Sequence, residues 1–311
     1  MDVYRTIEEI PVLPNSVVTI GTFDGCHRGH QEIIKKVNSL AQFNGNPSVL
    51  ITFDPHPRHI LQSKDKLPLL MHIDKKLEIM KSLNLDNVLV IPFNKKFSHI
   101  KAEDFLSNIV VKHFNPSIVV VGYDHHFGFE REGSPRFLSE FGKDNGITVD
   151  IVAPISDEKV NISSTHIRGL IKRGFVRRAS FELGWVFGFE ANVIHGAGRG
   201  RTLGFPTANF IPKEKNQLVP ARGVYCIRGR INGKSLYGMC NLGVRPTFDE
   251  DDFVMEVHFI DENLDNLYGK KITVEFLERI RDEQKFSHSQ ELIKQLNKDK
   301  HFCVKLMQKY K

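Results

Sequence analysis

The sequence predicts an α/β doubly wound parallel-sheet domain followed by a small antiparallel β-barrel with a C-terminal helix, and three observations carry that prediction. At 311 residues the chain is about two domains long on a prior of roughly 150 residues each. Up to Pro154, short β-branched runs alternate with helical patterns, as in successive βαβ units. After about residue 185, strand-like segments follow one another with only Gly- and Pro-containing connections between them, which is the texture of a compact barrel. Domains of 1–184 and 185–311 follow.

The first-half strands are VVTIG at 17–21, PSVLITF at 47–53, NVLVIPF at 87–93, SIVVVG at 117–122 and TVDIVAP at 148–154. Their near-continuous apolar character suits strands covered on both faces. Between them RGHQEIIKKVNSLAQF, DKKLEIMKSLN, KAEDFLSNIVVKHF and SPRFLSEFGKDNG place apolar residues at helical spacing. In such a sheet ligands bind at the carboxyl ends of the strands. The second half offers WVFGFEANVIHG, GVYCIRGRI, KSLYGMCNLGV, FVMEVHFI and KKITVEFLERI as strands, with INGKS at 231–235 as a hairpin turn. In the last stretch Leu292, Ile293, Leu296, Phe302 and Leu306 fall near helical spacing, with Ser289 as the expected cap.

Hydrophobic residues at 41% and charged residues at 26% exclude a disordered or collagen-like chain. No apolar run reaches the roughly 18 residues that span a bilayer and the N-terminus carries no basic-then-apolar signal, so a cytoplasmic protein without a membrane partner is expected. Forty-three Lys and Arg against 37 Asp and Glu leave a net charge of +6, which favours anionic partners, nucleotide or nucleic acid. The densest basic stretch is Arg168, Lys172, Arg173, Arg177 and Arg178, with no acid among them. Cys26, Cys226, Cys240 and Cys303 form no C-x-x-C pair, so neither a disulfide framework nor a cysteine zinc site is indicated.

Three segments carry chemistry. The first strand runs into GTFDGCHRGH, where Gly21, Gly25 and Gly29 loosen the backbone ahead of a helix start, a phosphate-binding geometry. His27 and His30 sit at that turn as H-x-G-H, without the G-K-[ST] of a P-loop; imidazole donors there can face phosphates, although two His at a turn also suit a polar loop. A zinc site would need a third ligand nearby. ISSTHIRGLIKRG at 162–174 combines Ser163, Ser164 and Thr165 at a helix start with Arg168 one turn on, an anion-binding set that is equally a good N-cap. In the second half GAGRGRTLGFPTANF is glycine-rich, and Thr207 and Asn209, two residues apart in an extended segment, point to one side. Neutral oxygens suit Mg²⁺ when phosphates supply its other ligands, while a Gly-rich hairpin is the plain alternative. Strand alternation sets Glu256 with Val254 and His258, opposite Met255, Val257 and Phe259; an outward-facing structural Glu and a functional one both fit.

GTFDGCHRGH, TFDPHPR at 52–58, VGYDHHFG at 121–128, ISSTHIR, GRGRTLGFPTANF and NLGVRPTF at 241–248 together resemble the bacterial bifunctional FAD synthetases, which join an FMN adenylyltransferase of the nucleotidylyltransferase class to a riboflavin kinase. The motifs span almost the whole chain in the family's order. The resemblance implies that His27, His30, Ser164, Thr165 and Arg168 hold ATP for adenylyl transfer, with Gly21, Asp24 and Asp124 in the same half binding nucleotide or flavin. VGYDHHFG departs from the family's commoner form, which has an aromatic residue where His125 stands. In the second half the resemblance implies Gly198, Gly200, Thr207 and Asn209 at ATP and Mg²⁺, Glu256 as the base toward the riboflavin 5′-hydroxyl, and Arg281 and Glu283 in the segment that closes over the flavin. Riboflavin, FMN and ATP are then the small-molecule partners and FAD the product; no nucleic-acid partner and no oligomeric state is assigned. Other H-x-G-H transferases, acting on pantetheine phosphate, nicotinamide mononucleotide or a cytidylyl acceptor, leave the PTAN segment unexplained. An RNA-binding barrel would interleave aromatics with basic residues on strands, whereas the basic run lies on a helical segment.

Overall fold

The computed structural model describes residues 1–62, 67–157, 160–195, 199–246, 251–260 and 267–310. They form two compact units, Met1–Ser164 and Thr165–Lys311.

The first unit is a six-stranded parallel sheet in the order β1-β4-β3-β2-β5-β6. The strands β2 (Val17–Ile20), β3 (Ser48–Asp54), β4 (Asn87–Pro92), β5 (Ile118–Gly122) and β6 (Thr148–Val152) are the five that the apolar runs predict. The sixth, β1 (Asp2–Tyr4), adds an edge beside β4; three residues carry too little alternation to be read from sequence. All four residues of β2 are buried because helices cover both faces. On one face α1 (Arg28–Asn44) packs against β2, β3 and β5 through Ile33, Ile34, Val37 and Ala41. Asn38 Nδ2 of α1 donates to the Leu83 carbonyl at 2.7 Å, which holds the end of α3 (Ile73–Ser82) alongside. A short α2 (Pro57–Leu61) precedes it. On the other face α4 (Ala102–Phe105) passes through a π-helical stretch, Leu106–Val111, into α5 (Lys112–Phe114). Phe105, Leu106, Ile109 and Phe114 join Leu138 of α6 (Pro135–Asp144) and alternate strand residues in one apolar core. The chain runs from β2 to β3 on one side and reaches β5 on the other, so β2 and β5 flank the crevice at which this fold class takes its ligands. A two-residue ladder, β7 (Ser156–Asp157) with β8 (Val160–Asn161), follows β6.

In the second unit α7 (Ser164–Lys172), which begins on the last residue of the first, and α8 (Val176–Leu183) precede a closed antiparallel barrel in the order β10-β13-β12-β11-β14-β9. Its strands are β9 (Gly188–Ile194), β10 (Ala208–Pro212), β11 (Gly223–Ile231), β12 (Lys234–Pro246), β13 (Asp251–Phe259) and β14 (Lys271–Arg281). Five match the sequence reading; β10 is additional, formed by the end of the PTANF segment after a short helix α9 (Arg199–Thr202). The predicted hairpin turn is present: Ile231 pairs with Lys234 across Asn232 and Gly233, whose φ values of 47° and 77° are those of a type I′ turn. The C-terminal helix α10 (Ser289–Met307) lies against the barrel, with Cys303 and Leu306 in an apolar layer shared with Cys226, Tyr237 and Met239. Two expectations for it fail. Ser289 is the first helical residue and His288 the cap position, with no side-chain cap bond, and Phe302 is 41% exposed, because Asp299, Cys303 and Leu306 define the inward face. Among the described residues no helix is long and apolar enough to cross a membrane.

Candidate active sites

In the first unit the loop from Gly21 to His27 joins β2 to α1. Phe23 and Cys26 are held at φ 47° and 38°, conformations that cost of order 1–3 kcal/mol each for non-glycine residues and persist only when their surroundings impose them. Three donors do so here. Lys76 Nζ reaches the Thr22 carbonyl at 2.7 Å, Ser164 Oγ the Asp24 carbonyl at 2.8 Å, and Gln31 Nε2 the Cys26 carbonyl at 2.8 Å. Asp24 is buried, and burial pushes the Cys26 thiol up to about 12.

His27 caps α1. Its Nδ1 accepts from the His30 backbone N–H at 3.3 Å, so in the neutral ring the proton sits on Nε2 and that nitrogen is the free donor. The His30 ring stacks on it with centroids 3.7 Å apart and planes 17° from parallel. Burial lowers the His27 pKa to about 4, only partly offset by the backbone hydrogen bond. Burial also lowers His30 well below its usual value, with the neighbouring His27 and Lys76 charges adding to it. His30 Nδ1 is buried without a hydrogen-bond partner among the described residues. Two neutral rings, one with an orphaned nitrogen, are thus arranged at a helix N-terminus, which favours anions.

The native state refuses a proton that the unfolded chain accepts, and this gives a sign for acid sensitivity. Above pH 6.5 His27 is neutral folded or unfolded. Between 6.5 and about 4 only the unfolded form is protonated, so stability should fall through that window, by up to about 3 kcal/mol from this residue. His27→Asn keeps a good cap and should flatten the decline of melting temperature between pH 6.5 and 4; an unchanged slope would remove His27 as its source.

Across the crevice, β5 ends in Gly122, Tyr123 and Asp124. Asp124 is exposed, and its carbonyl lies 2.9 Å from His126 Nδ1. His125, by contrast, stacks on Phe127 with centroids 5.4 Å apart. Its Nε2 is buried without a partner among the described residues, and burial lowers its pKa to about 4. Of the ISSTHIR residues, Ser164 touches the β2–α1 loop as described, Thr165 is exposed on the first turn of α7, and Arg168 is buried on that helix. Glu182 of α8 braces α7 and its own helix, meeting His166 Nε2 at 3.4 Å and Arg178 Nε at 2.9 Å.

The second unit builds a different site. Asn209 of β10 and Asn241 of β12 both stand directly opposite Glu256 of β13, so the three side chains share one face. That face is opposite the fully buried Met255 and Val257. Asn209 Oδ1 is buried with no hydrogen-bond partner among the described residues. Thr207 lies two residues before it and is likewise part-buried, while Ala208 and Phe210 turn inward. A Cβ added at Gly200 would come 2.1 Å from the Phe205 carbonyl oxygen and 3.2 Å from Thr207 Oγ1, so glycine is what lets this backbone close on Thr207. Gly198 lies outside the described residues.

Asn241 Nδ2 also donates to Glu283 Oε1 at 3.4 Å, which brings the second carboxylate to the Glu256 row. A Cβ at Gly243 would be 2.3 Å from that same oxygen. Arg281 points elsewhere: Nε and Nη2 fork onto Asp299 at 3.0 and 2.9 Å, with Gln295 on the same carboxylate and Phe286 under the guanidinium. It clamps the end of β14 to α10. The reading of the sequence passes over Lys76 and Asn241. A signal for Lys76 exists, since helical spacing puts it on the face of Ile79 and Met80. A signal for Asn241 exists too, since it alternates with the apolar Cys240 and Leu242.

The FAD synthetase family matches residues 9–166 and the riboflavin kinase family residues 183–307. A bifunctional riboflavin kinase/FMN adenylyltransferase of Buchnera aphidicola (strain APS) is 34% identical, covering 100% of this chain and 98% of that one. The Bacillus subtilis and Escherichia coli K12 proteins of the same name are 33% and 34% identical, covering 93% and 96% of this chain and 92% and 96% of theirs. A Streptococcus pneumoniae crystal structure, described as a macrolide-efflux protein, superposes with a TM-score of 0.87 at 31% identity over 97% of this chain and 98% of that one. Both catalytic families lie on one polypeptide, in the order and at nearly the full length of these relatives. The chain therefore belongs to the bifunctional riboflavin kinase/FMN adenylyltransferases, and it makes FAD in two steps, phosphorylating riboflavin to FMN and adenylylating FMN with ATP.

Proposed function

We propose that adenylyl transfer uses residues 1–184 and riboflavin phosphorylation residues 185–311, with separate ATP sites. In the first, an FMN phosphate oxygen attacks the α-phosphorus of ATP, a new P–O bond forms, and the α–β P–O bond breaks to release pyrophosphate. His27 and His30 donate to the phosphates as charge builds on them. Gly21 and Asp24 shape the loop, Ser164, Thr165 and Arg168 hold ATP, and Asp124 faces the flavin. The observation that carries this reading is the stacked neutral pair at the N-terminus of α1. Two rings kept unprotonated by burial each offer a neutral N–H donor to incoming phosphates without the cost of a buried charge. An exposed Asp124 next to a buried His125 Nε2 that has no partner among the described residues supports a flavin side at the end of β5.

In the second site Glu256 takes the proton from the riboflavin 5′-hydroxyl as its oxygen attacks the γ-phosphorus and ADP departs. Thr207 Oγ1 and the orphaned Asn209 Oδ1 would hold Mg²⁺ together with the nucleotide phosphates; the ion would neutralise charge developing on the transferred group. Gly200 lets the backbone approach the phosphates, and Arg281 and Glu283 frame the flavin side, Arg281 by fixing α10. The substrates are small molecules. Four free, buried cysteines accord with a reducing, cytoplasmic location.

Purified protein given riboflavin, ATP and Mg²⁺ should form FMN first and FAD after it. Chelation should stop both steps and added Mg²⁺ restore them. Undiminished FMN formation in excess chelator would overturn the metal assignment at Thr207 and Asn209.

A further inference from the structure

Lys76 lies on α3, in a helix face otherwise occupied by Ile79 and Met80, and is only 6% exposed. A buried ammonium is costly unless it is fully engaged. Its Nζ donates to the Thr22 carbonyl at 2.7 Å and to Thr52 Oγ1 at 3.3 Å. Thr52 Oγ1 itself donates to the same Thr22 carbonyl at 3.2 Å, so one cation knits the start of the β2–α1 loop to the carboxyl end of β3. The charged and titratable groups that act on it are Asp24 and Cys26 of the loop and Asp54 of β3, and its charge acts in turn on His30 of α1, on which His27 stacks. Burial lowers the Lys76 pKa, and the two carboxylates and the Cys26 thiol oppose that shift.

We propose that Lys76 is a positioning residue for adenylyl transfer: its buried ammonium fastens the strained Thr22–Cys26 loop to β3 and thereby sets the placement of the His27–His30 pair. Three features of the loop and its surroundings support this. The loop contains two non-glycine residues at positive φ, which need outside restraint. Lys76 brings a positive charge to the loop where Ser164 and Gln31 bring neutral donors. Its charge also acts on both the loop's Asp24 and the His30 imidazole. A lysine retained for packing alone would be better replaced by leucine or methionine at this apolar face. The inference rests on the assignment of His27 and His30 to adenylyl transfer.

The test compares Lys76→Met, which removes charge and donor, with Lys76→Gln, which keeps an amide donor. Riboflavin kinase turnover serves as the internal reference. In both variants adenylyl-transfer kcat should fall about 10- to 100-fold, more than KM for ATP rises, while kinase turnover stays within about twofold. Removing the positive charge lets His30 keep its proton to higher pH, so the acid limb of kcat/KM for FMN adenylylation should move upward. Lys76→Arg, retaining charge, should return that limb toward wild type. A lowered melting temperature with unchanged adenylyl-transfer kcat and an unmoved acid limb would reduce Lys76 to scaffold and overturn the proposal. If the Lys76 variants do not fold, Thr52→Val decides. It keeps the ammonium and removes one partner, so kcat should drop several-fold, and wild-type kcat there would equally overturn the proposal. Loss of the acid-limb shift in a His30→Ala background is expected; a shift that persists there would sink the assignment of His30 itself.

Discussion

Glu256→Gln should lower riboflavin kinase turnover by roughly 10²–10⁴-fold, the loss typical of a removed general base. The substitution keeps size and hydrogen-bonding capacity and removes only the ability to accept a proton. Glu256 lies directly opposite Asn209 and Asn241, so the glutamine amide can still be held between two neighbours of its own kind and the strand register has no reason to change. Binding of riboflavin and ATP should alter little, because the missing interaction matters chiefly in the transition state. FMN adenylylation in the same protein is the control, since its proposed residues lie in the other unit. Near wild-type kinase turnover, or loss confined to flavin binding, would make Glu256 a structural strand residue. Glu283 offers a sharper discrimination. It shares Asn241 with the Glu256 row, so Glu283→Gln should raise the riboflavin KM more than it lowers kcat if its place is beside the flavin and not at the proton.

What could be read from the sequence follows physical range. The centre of the sheet was legible because strands covered on both faces must be apolar throughout, as VVTI and NVLVIP are. Its edge was not, because β1 is three residues long and half-exposed. The barrel strands announced themselves by alternation, except β10, whose register with β9 and β13 depends on long-range pairing that a Gly- and Pro-rich approach conceals. Ser289 was misjudged as a cap because a serine before an apolar run looks the same whether it precedes the helix or opens it. At the sites, contiguous motifs were readable, but the partners that complete them come from distant positions. Lys76 meets Thr22 across 54 residues, and Asn241 meets Glu283 across 42. Arg281 shows the reverse: a residue in the right segment whose fork is occupied by Asp299, a contact 18 residues away that no local pattern encodes.

The two activities should separate under mutation if, as proposed, each uses its own phosphate-handling residues, because His30 and Asn209 belong to different units. His30→Ala removes one ring of the stacked pair and the orphaned Nδ1 while leaving the His30 backbone N–H that His27 caps. The helix start therefore survives, and FMN-to-FAD conversion should fall by about 10²–10³-fold, the scale of losing one pre-positioned donor to a developing anion. Riboflavin phosphorylation should persist, so FMN should accumulate in a reaction that normally carries it onward. Asn209→Ala does the opposite. It deletes the free Oδ1 without disturbing the inward Ala208 and Phe210 of β10, so kinase turnover should collapse and its Mg²⁺ requirement should rise, while added FMN is still adenylylated at the normal rate. Mixing the two variants should restore riboflavin-to-FAD conversion through free FMN if the intermediate leaves one enzyme and enters another. Equal loss of both steps in either variant, with the fold intact, would mean that the sites do not act independently, and the assignment of separate nucleotide sites would fail with it.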